Sequence, residues 1–234
     1  MAGGDVRVLL IIPAFNEEAA LGGLLAELPA GMEAVVVDDG SVDRTAEIAK
    51  AGGARVLRLP HNLGIGGAVQ AGLRLAHREK FDCAIQLDGD GQHPPSELPR
   101  LLDSASRADI VVGTRYRGKA GFQSTALRRL GSWWLRVVLR LVARVRVTDP
   151  TSGFRLYGKR ALALFDETYP YDYPEPESLA IARAAGLTID EVEVAMRDRQ
   201  GGRSSIAGWA PGYYMFKVTI AVVLAFVRAR RRSR

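Results

Sequence analysis

Five short apolar runs recur through the first half of this 234-residue chain, each followed directly by a polar cluster. The runs are VRVLLII, AVVVD ending at Asp38, ARVLRL, CAIQLD and DIVVG. They are short, continuous and rich in Val, Leu and Ile, the pattern of strands buried on both faces. Helical spacing appears between them: Leu21, Leu24, Leu25 and Leu28, then TAEIAK, then Ile65 to Ala76 with Val69, Leu73 and Ala76 on one face. Strands alternating with helices imply an α/β fold, with a mostly parallel central sheet and helices on both faces. Ligands of such sheets bind beyond the carboxyl ends of the strands. The clusters PAFNEE, DDGSVDRT, PHNLGIGG, DGDGQHPP and TRYRGK would therefore share one edge.

The second half is less regular. Leu127 to Val147 is apolar with interspersed arginines and holds Trp133 and Trp134. TSGFRLY reads as a strand, a short helix follows near Leu162, Glu177 to Ala185 reads as a helix, and LTIDEVEVAM as a strand. Tyr213 to Val227 carries only Lys217 as a charge. Fifteen residues fall short of the roughly 20 that a full span needs. The segment is expected either to lie in a membrane interface or to pack on the protein's own core or a partner subunit. The expected division is a catalytic domain over 1–206 and an apolar helix with a basic tail over 207–234.

The net charge of +6 is mostly a property of that tail, since RARRRSR holds Arg228, Arg230, Arg231, Arg232 and Arg234. A nucleic-acid-binding domain spreads basic charge over a folded face, so no nucleic-acid partner is expected. A terminal basic cluster beside an apolar stretch fits anionic lipid better. The single cysteine, Cys83, cannot form an internal disulfide, which fits a reducing compartment. The run Val6 to Ile12 lacks a basic leader and a cleavage site, so it is not read as a signal peptide.

The strongest chemical signal is DGDGQH. Asp88 and Asp90 are separated by one glycine at the end of a strand, where two carboxylates repel each other unless a divalent cation joins them. Hard oxygen ligands favour Mg²⁺ or Mn²⁺, and Gln92 could add a third oxygen. Asp38 and Asp39 end the second strand, where an acid can bind a ribose or base, or simply cap a turn. Gly64, Gly66 and Gly67 open a helix that could face a phosphate. The dinucleotide fingerprint fails there because Val69 stands at its third position, which argues against a dehydrogenase. Arg115, Arg117, Arg128, Arg129, Arg199 and Arg203 carry planar forks that can grip phosphates; one or two are expected to do so and the rest to be solvated or lipid-facing.

In order, IIPAFNEE, VVVDDGSVDRT, NLGIGGAVQAGL, QLDGDGQHPP, VVGTRY, SGFRLY and RDRQGGRSSI resemble the family 2 glycosyltransferases over roughly residues 6–206. The nearest likeness is to polyprenyl-phosphate sugar synthases of the dolichol-phosphate mannose synthase type. That resemblance implies a GT-A fold with a Rossmann-like sheet. It implies an inverting, metal-dependent transfer from a UDP- or GDP-sugar to a polyprenyl phosphate. The enzyme would be cytoplasmic, peripheral or monotopic at the inner face of the cell membrane, with the helix near Trp133 meeting the lipid. It implies that Pro13, Phe15, Asn16, Glu17, Asp38, Asp39, Gly66, Asp88 and Gly89 bind the nucleotide sugar. Asp88, Asp90 and Gln92 would hold Mg²⁺ or Mn²⁺, and Asp90, Arg115, Arg128 and Arg203 would be catalytic. Asp149, Ser152, Gly153 and Phe154 match the family's Asp-x-x-Ser-Gly-Phe pattern. A hydroxyl acceptor would instead require a base, for which Glu175 and Glu177 are the candidates. A binding protein without turnover and a nucleotidyltransferase are the other classes considered. Oligomeric state, sugar and base are not encoded in any one motif.

Overall fold

A computed structural model of the chain describes residues 6–115, 126–197 and 211–232, and at 126–130 and 211–214 the backbone alone. Seven strands form one sheet: β1 (Val8–Ala14), β2 (Glu33–Asp38), β3 (Arg55–Arg58), β4 (Cys83–Gln86), β5 (Ile110–Thr114), β6 (Arg155–Gly158) and β7 (Ile189–Glu193). Their order is β3-β2-β1-β4-β6-β5-β7. β1 is parallel to β2 and β4, β2 to β3, and β5 to β7, while β6 runs antiparallel to both β4 and β5. Every strand but β6 therefore ends at the same edge, and the polar clusters after β1 to β4, with Thr114 and Arg115 after β5, leave the sheet there as expected.

Alternating side chains of each strand feed two cores. Leu9, Ile11, Val35 and Val37 point into one. They meet α3 (Gly64–Arg78), α5 (Ala126–Ala143), α6 (Lys159–Glu167), α7 (Pro174–Ala184) and α8 (Pro211–Arg232). Leu10, Ile12, Val36 and Ile85 point into the other, covered by α1 (Leu21–Ala26), α2 (Thr45–Ala51) and α4 (Leu98–Asp103). Cys83 lies in this second core, where burial pushes its thiol up to about 11. The helix α4 has no counterpart in the sequence reading. Its buried residues are only Leu98 and Leu101, one apolar pair, whereas the equally short α1, with Leu28 just after it, shows four leucines in period.

The segment 211–232 forms one helix whose inner face joins the protein's own core. Val218 and Val222 are fully buried against α5 and α7, and the Trp134 indole N–H donates to Thr219 Oγ1 at 2.9 Å. The outer face leaves Phe216, Ile220, Leu224 and Val227 exposed. The helix runs on through Arg232, so most of the basic tail is helical. The boundary expected at 206/207 lies outside the described residues.

α3 crosses β1 closely because Gly72 has no side chain. A Cβ there would stand 2.3 Å from Cγ2 of the fully buried Ile11. Gly72→Ala would gain up to about 1 kcal/mol of helix propensity, yet the overlap has nowhere to relax. The expected outcome is a net loss of about 1–2 kcal/mol, read as a lower urea midpoint at unchanged slope.

Candidate functional site

The first two edge loops are laced together by side chains. Asn16, at φ 56°, donates its N–H to Ser41 Oγ (2.9 Å), and its own Oδ1 accepts from Val42 N (3.0 Å). Glu17 N donates to Thr45 Oγ1 (2.9 Å), Glu18 N to Asp43 Oδ2 (3.2 Å), and Arg44 N to Glu18 Oε2 (3.1 Å). The β1 loop is thereby held against the β2 loop. Phe15 projects from this pair, 45% exposed, while Pro13 is buried in β1.

Asp38 and Asp39 sit beneath these loops and hold backbone. Asp38 Oδ1 accepts from Ser41 N at 2.9 Å. Its Oδ2 lies 3.3 Å from Arg58 Nε, near enough for an ion pair but without hydrogen-bond alignment. Both oxygens of Asp39 are bonded to the start of α3, Oδ1 to Leu63 N (2.7 Å) and Oδ2 to Gly64 N (2.9 Å). Burial raises the Asp39 carboxyl above the usual range, against the opposing pull of those two bonds. The expectation that Gly66 opens a phosphate-binding helix end meets a different use of the same glycine. A Cβ on Gly66 would lie 2.5 Å from Pro170 O, so its bare α-carbon seats the Pro170–Tyr171 backbone.

The DGDGQH loop follows β4 and lies against β1. Leu87 N donates to Ile11 O (2.9 Å), and a Cβ on Gly89 would be 3.1 Å from Pro13 O. Gly91 takes φ 76°, which turns the chain so that Gln92 N reaches Asp90 Oδ1 at 3.0 Å. Asp90 is 2% exposed, whereas the Asp88 side chain is 31% exposed. Asp88 N donates to Nδ1 of the buried His93, whose ring stacks on Phe154 with centroids 5.0 Å apart. The Asp88 carboxylate rests on Gly153: a Cβ there would fall 2.8 Å from Oδ1 and 2.9 Å from Oδ2. Gly153 and Phe154 thus set the side chain and, through His93, the main chain of the same acid.

That floor is clamped from below by Arg155, which is 1% exposed. Its guanidinium donates to the carbonyls of Ser152 (2.7 Å), Pro150 (2.9 Å) and Glu175 (2.8 Å), and to Ser178 Oγ (2.9 Å). Arg155 and Glu191 are what sequence reading missed. Glu191 accepts from Thr148 N, Thr148 Oγ1 and Asp149 N. The only available signal was a charge inside a strand-like run, since Glu191's partners lie over forty residues away and Arg155 joins nearby carbonyls to Glu175 and Ser178, twenty or more residues on.

Arg115 pairs with the fully buried Asp149 at 2.7 Å. Arg128 lies in the first turn of α5, where the backbone alone is described. Arg203, like Arg117 and Arg199, lies outside the described residues. Glu177 Oε1 accepts from Tyr173 N (3.1 Å) and so caps α7. Burial raises the Glu177 carboxyl, with that bond opposing. Burial also raises Glu175, against the nearby Arg155 charge and with the Asp88 charge adding to the rise.

The donor set fits a hard divalent cation that keeps other ligands. Asp88 offers a partly open carboxylate on a fixed seat, and Asp90 and Gln92 are one turn away. Among the described residues no three His, Cys, Asp or Glu side chains form a closed cage. Mg²⁺ and Mn²⁺ sites built on one or two carboxylates complete their shell with water and substrate phosphate oxygens.

Comparison with known proteins shows the family and the fold. Residues 9–165 match the model of Glycosyl transferase family 2. The chain is 33% identical to the undecaprenyl-phosphate mannosyltransferase of Micrococcus luteus, over 92% of this chain and 93% of that one. It is 31% identical to the polyprenol monophosphomannose synthase of Mycolicibacterium smegmatis, over 91% and 85% respectively. Among solved structures, glucosyl-3-phosphoglycerate synthase from Mycobacterium tuberculosis, in complex with Mn²⁺, UDP-glucose and phosphoglyceric acid, superposes with TM-score 0.71. That match has 20% identity and covers 97% of this chain and 80% of that one; at this identity it establishes the GT-A fold.

Gly153→Ala should displace the Asp88 carboxylate without disturbing the core, because the clash falls on the end of a side chain. The expected result is a loss of about 10–100-fold in apparent Mn²⁺ affinity, with a metal-free Tm close to wild type. Titration of Tm against Mn²⁺ measures both.

Proposed function

The chain belongs to glycosyl transferase family 2, and we propose that it transfers a sugar from a nucleoside-diphosphate sugar to a polyprenyl phosphate at a membrane surface. The observation that carries this is the convergence at one sheet edge: Asp88 on Gly153, its loop packed on Pro13, and Pro13's loop laced to that of Asp38. The relatives named for lipid-phosphate mannosyl transfer align over nearly the full chain.

Pro13, Phe15, Asn16, Glu17, Asp38, Asp39 and Gly89 would line the nucleotide end of the donor. Asp88, Asp90 and Gln92 would hold Mg²⁺ or Mn²⁺, which when bound would neutralise the departing diphosphate. Arg128 and Arg203, with Arg115 anchored by Asp149, would face the phosphates of donor and acceptor. An acceptor phosphate oxygen attacks the anomeric carbon as the bond to the diphosphate breaks on the opposite side, inverting that centre. A lipid phosphate is already ionised, so the step needs no base. The site is suited to this, since His93 is buried with Nδ1 accepting from Asp88 N. Positioning and charge then carry the rate.

The membrane surface enters through α5 and α8. Trp133, Trp134, Phe216, Ile220, Leu224 and Val227 are exposed, and α8 ends in arginines. No helix among the described residues is long and apolar enough to cross a membrane. The proposed location is the cytoplasmic face of the cell membrane, with α8 lying along it. A hydroxyl acceptor is the second reading; the raised carboxyl of Glu175 near Asp88 favours it, because that group could take a proton.

The test is to incubate the protein with Mn²⁺, a panel of labelled UDP- and GDP-sugars and undecaprenyl phosphate, then extract with chloroform. Labelled sugar is expected in the organic phase with one donor. Asp90→Ala should lower the rate by about 100-fold or more while keeping the Tm within a few degrees. Product formed only on a hydroxylated acceptor would favour the second reading, and full activity in Asp90→Ala would overturn the metal assignment.

A further inference from the structure

Between α7, α8 and the 168–173 segment lies a groove of about 590 Å³ that the donor site does not use. Its volume is within the roughly 300–1,000 Å³ typical of small-molecule sites. The floor is apolar: Ile181 from α7, and Ile220, Ala221 and Leu224 from α8. Lys217 stands at one end, and Arg228 and Arg232 at the other. From Lys217 to Arg232 the helix rises about 1.5 Å per residue, giving a channel roughly 22 Å long. Ile220 and Leu224 belong both to the floor and to the exposed apolar face of α8, so the groove opens directly beside that face.

The cationic end points toward the chemistry. Glu177, in the first turn of α7, lines the groove together with Arg228. Two residues earlier the Glu175 carbonyl accepts from Arg155, which also binds the Ser152 carbonyl beside Gly153, the seat of Asp88. The opposite wall is fixed to α3, since Pro170–Tyr171 covers Gly66 and the Tyr171 hydroxyl donates to Gln70 Oε1 at 3.0 Å. A peptide would fit this groove poorly. Helices line most of it and offer no strand edge, so peptide N–H and C=O groups would be buried unpaired. A free phosphate has no use for the apolar floor. An extended hydrocarbon carrying an anionic head matches both the floor and the cations.

We propose that this groove seats the hydrocarbon chain of a lipid phosphate, head toward Arg228 and Arg232 and tail toward Lys217. The assignment rests on the lipid-phosphate acceptor reading above and adds to it where the chain is held. Leu224 and Ala221 lie four and seven residues from Arg228, about 6 and 10 Å along the helix. A long chain passes both, whereas a single isoprene unit stops short of them.

The test compares wild type with Ala221→Trp, which fills the groove, and with Leu224→Asp, which places a charge on an exposed floor position. Assays use detergent micelles, so that vesicle binding plays no part. Acceptors are undecaprenyl phosphate and isopentenyl phosphate, and equilibrium binding of labelled undecaprenyl phosphate is measured alongside. Both variants should raise KM for the long acceptor about tenfold at little-changed kcat, weaken its binding equally, and leave the short acceptor within twofold. Should Ala221→Trp fail to fold, Leu224→Asp decides alone. Wild-type KM and binding in the folded variants, or equal losses on both acceptors, would overturn the groove while leaving the acceptor reading intact. If wild type turns over neither lipid yet binds undecaprenyl phosphate in an Ala221-sensitive way, the acceptor reading fails and the groove stands.

Discussion

Backbone N–H groups in the loops at the carboxyl edge have no ladder to join, and side chains must meet them instead. That constraint organises the site. Asp38 takes Ser41, Asp39 takes Leu63 and Gly64, Asp90 takes Gln92, Glu191 takes Thr148 and Asp149, and His93 takes Asp88. A hydrogen bond to a charged group contributes about 1.5–3 kcal/mol, and an orphaned buried N–H costs a similar amount. The acids that look like ligand-binding residues are therefore also what holds the loops still. Pre-ordered loops leave less entropy to be lost when a donor binds.

The strands and the long helices were legible because each is a run with a period. β1 to β5 announce themselves as Val, Leu and Ile runs, and Val69, Leu73 and Ala76 mark the buried side of α3. The reversed direction of β6 was not legible, since no residue pattern in SGFRLY differs between the two senses. Nor were the uses of single residues. Gly66 stands in a glycine cluster that suggests phosphate, but its role depends on Pro170 and Tyr171, over a hundred residues away in sequence. Arg155 reads as one charge in a strand, and its partners lie on two other segments. Arg115 was legible as an edge arginine, while its pairing with Asp149 was not.

α7 joins the two parts of the molecule to which the proposals above give different ends of the reaction. Its first turn contributes the Glu175 carbonyl and the Ser178 hydroxyl to Arg155, and so to the loop under Asp88. One turn of the same helix lines the groove through Glu177, and its buried side carries Leu179 and Ala182 into the core shared with Val218 and Val222. A shift of α7 would be felt at once by the Asp88 carboxylate and by α8.

The lone reversed strand has an architectural consequence. Six strands send chain away from the sheet at this edge, but at β6 the chain arrives, because Arg155 pairs with Gln86 at the edge itself. A departing loop can lengthen and return wherever its next helix begins. The approach to β6 must deliver Gly153 to one spot, two residues ahead of a register already fixed. Insertions acquired during divergence should therefore gather in the departing connections, and the short stretch from 149 to 155 should resist change in length.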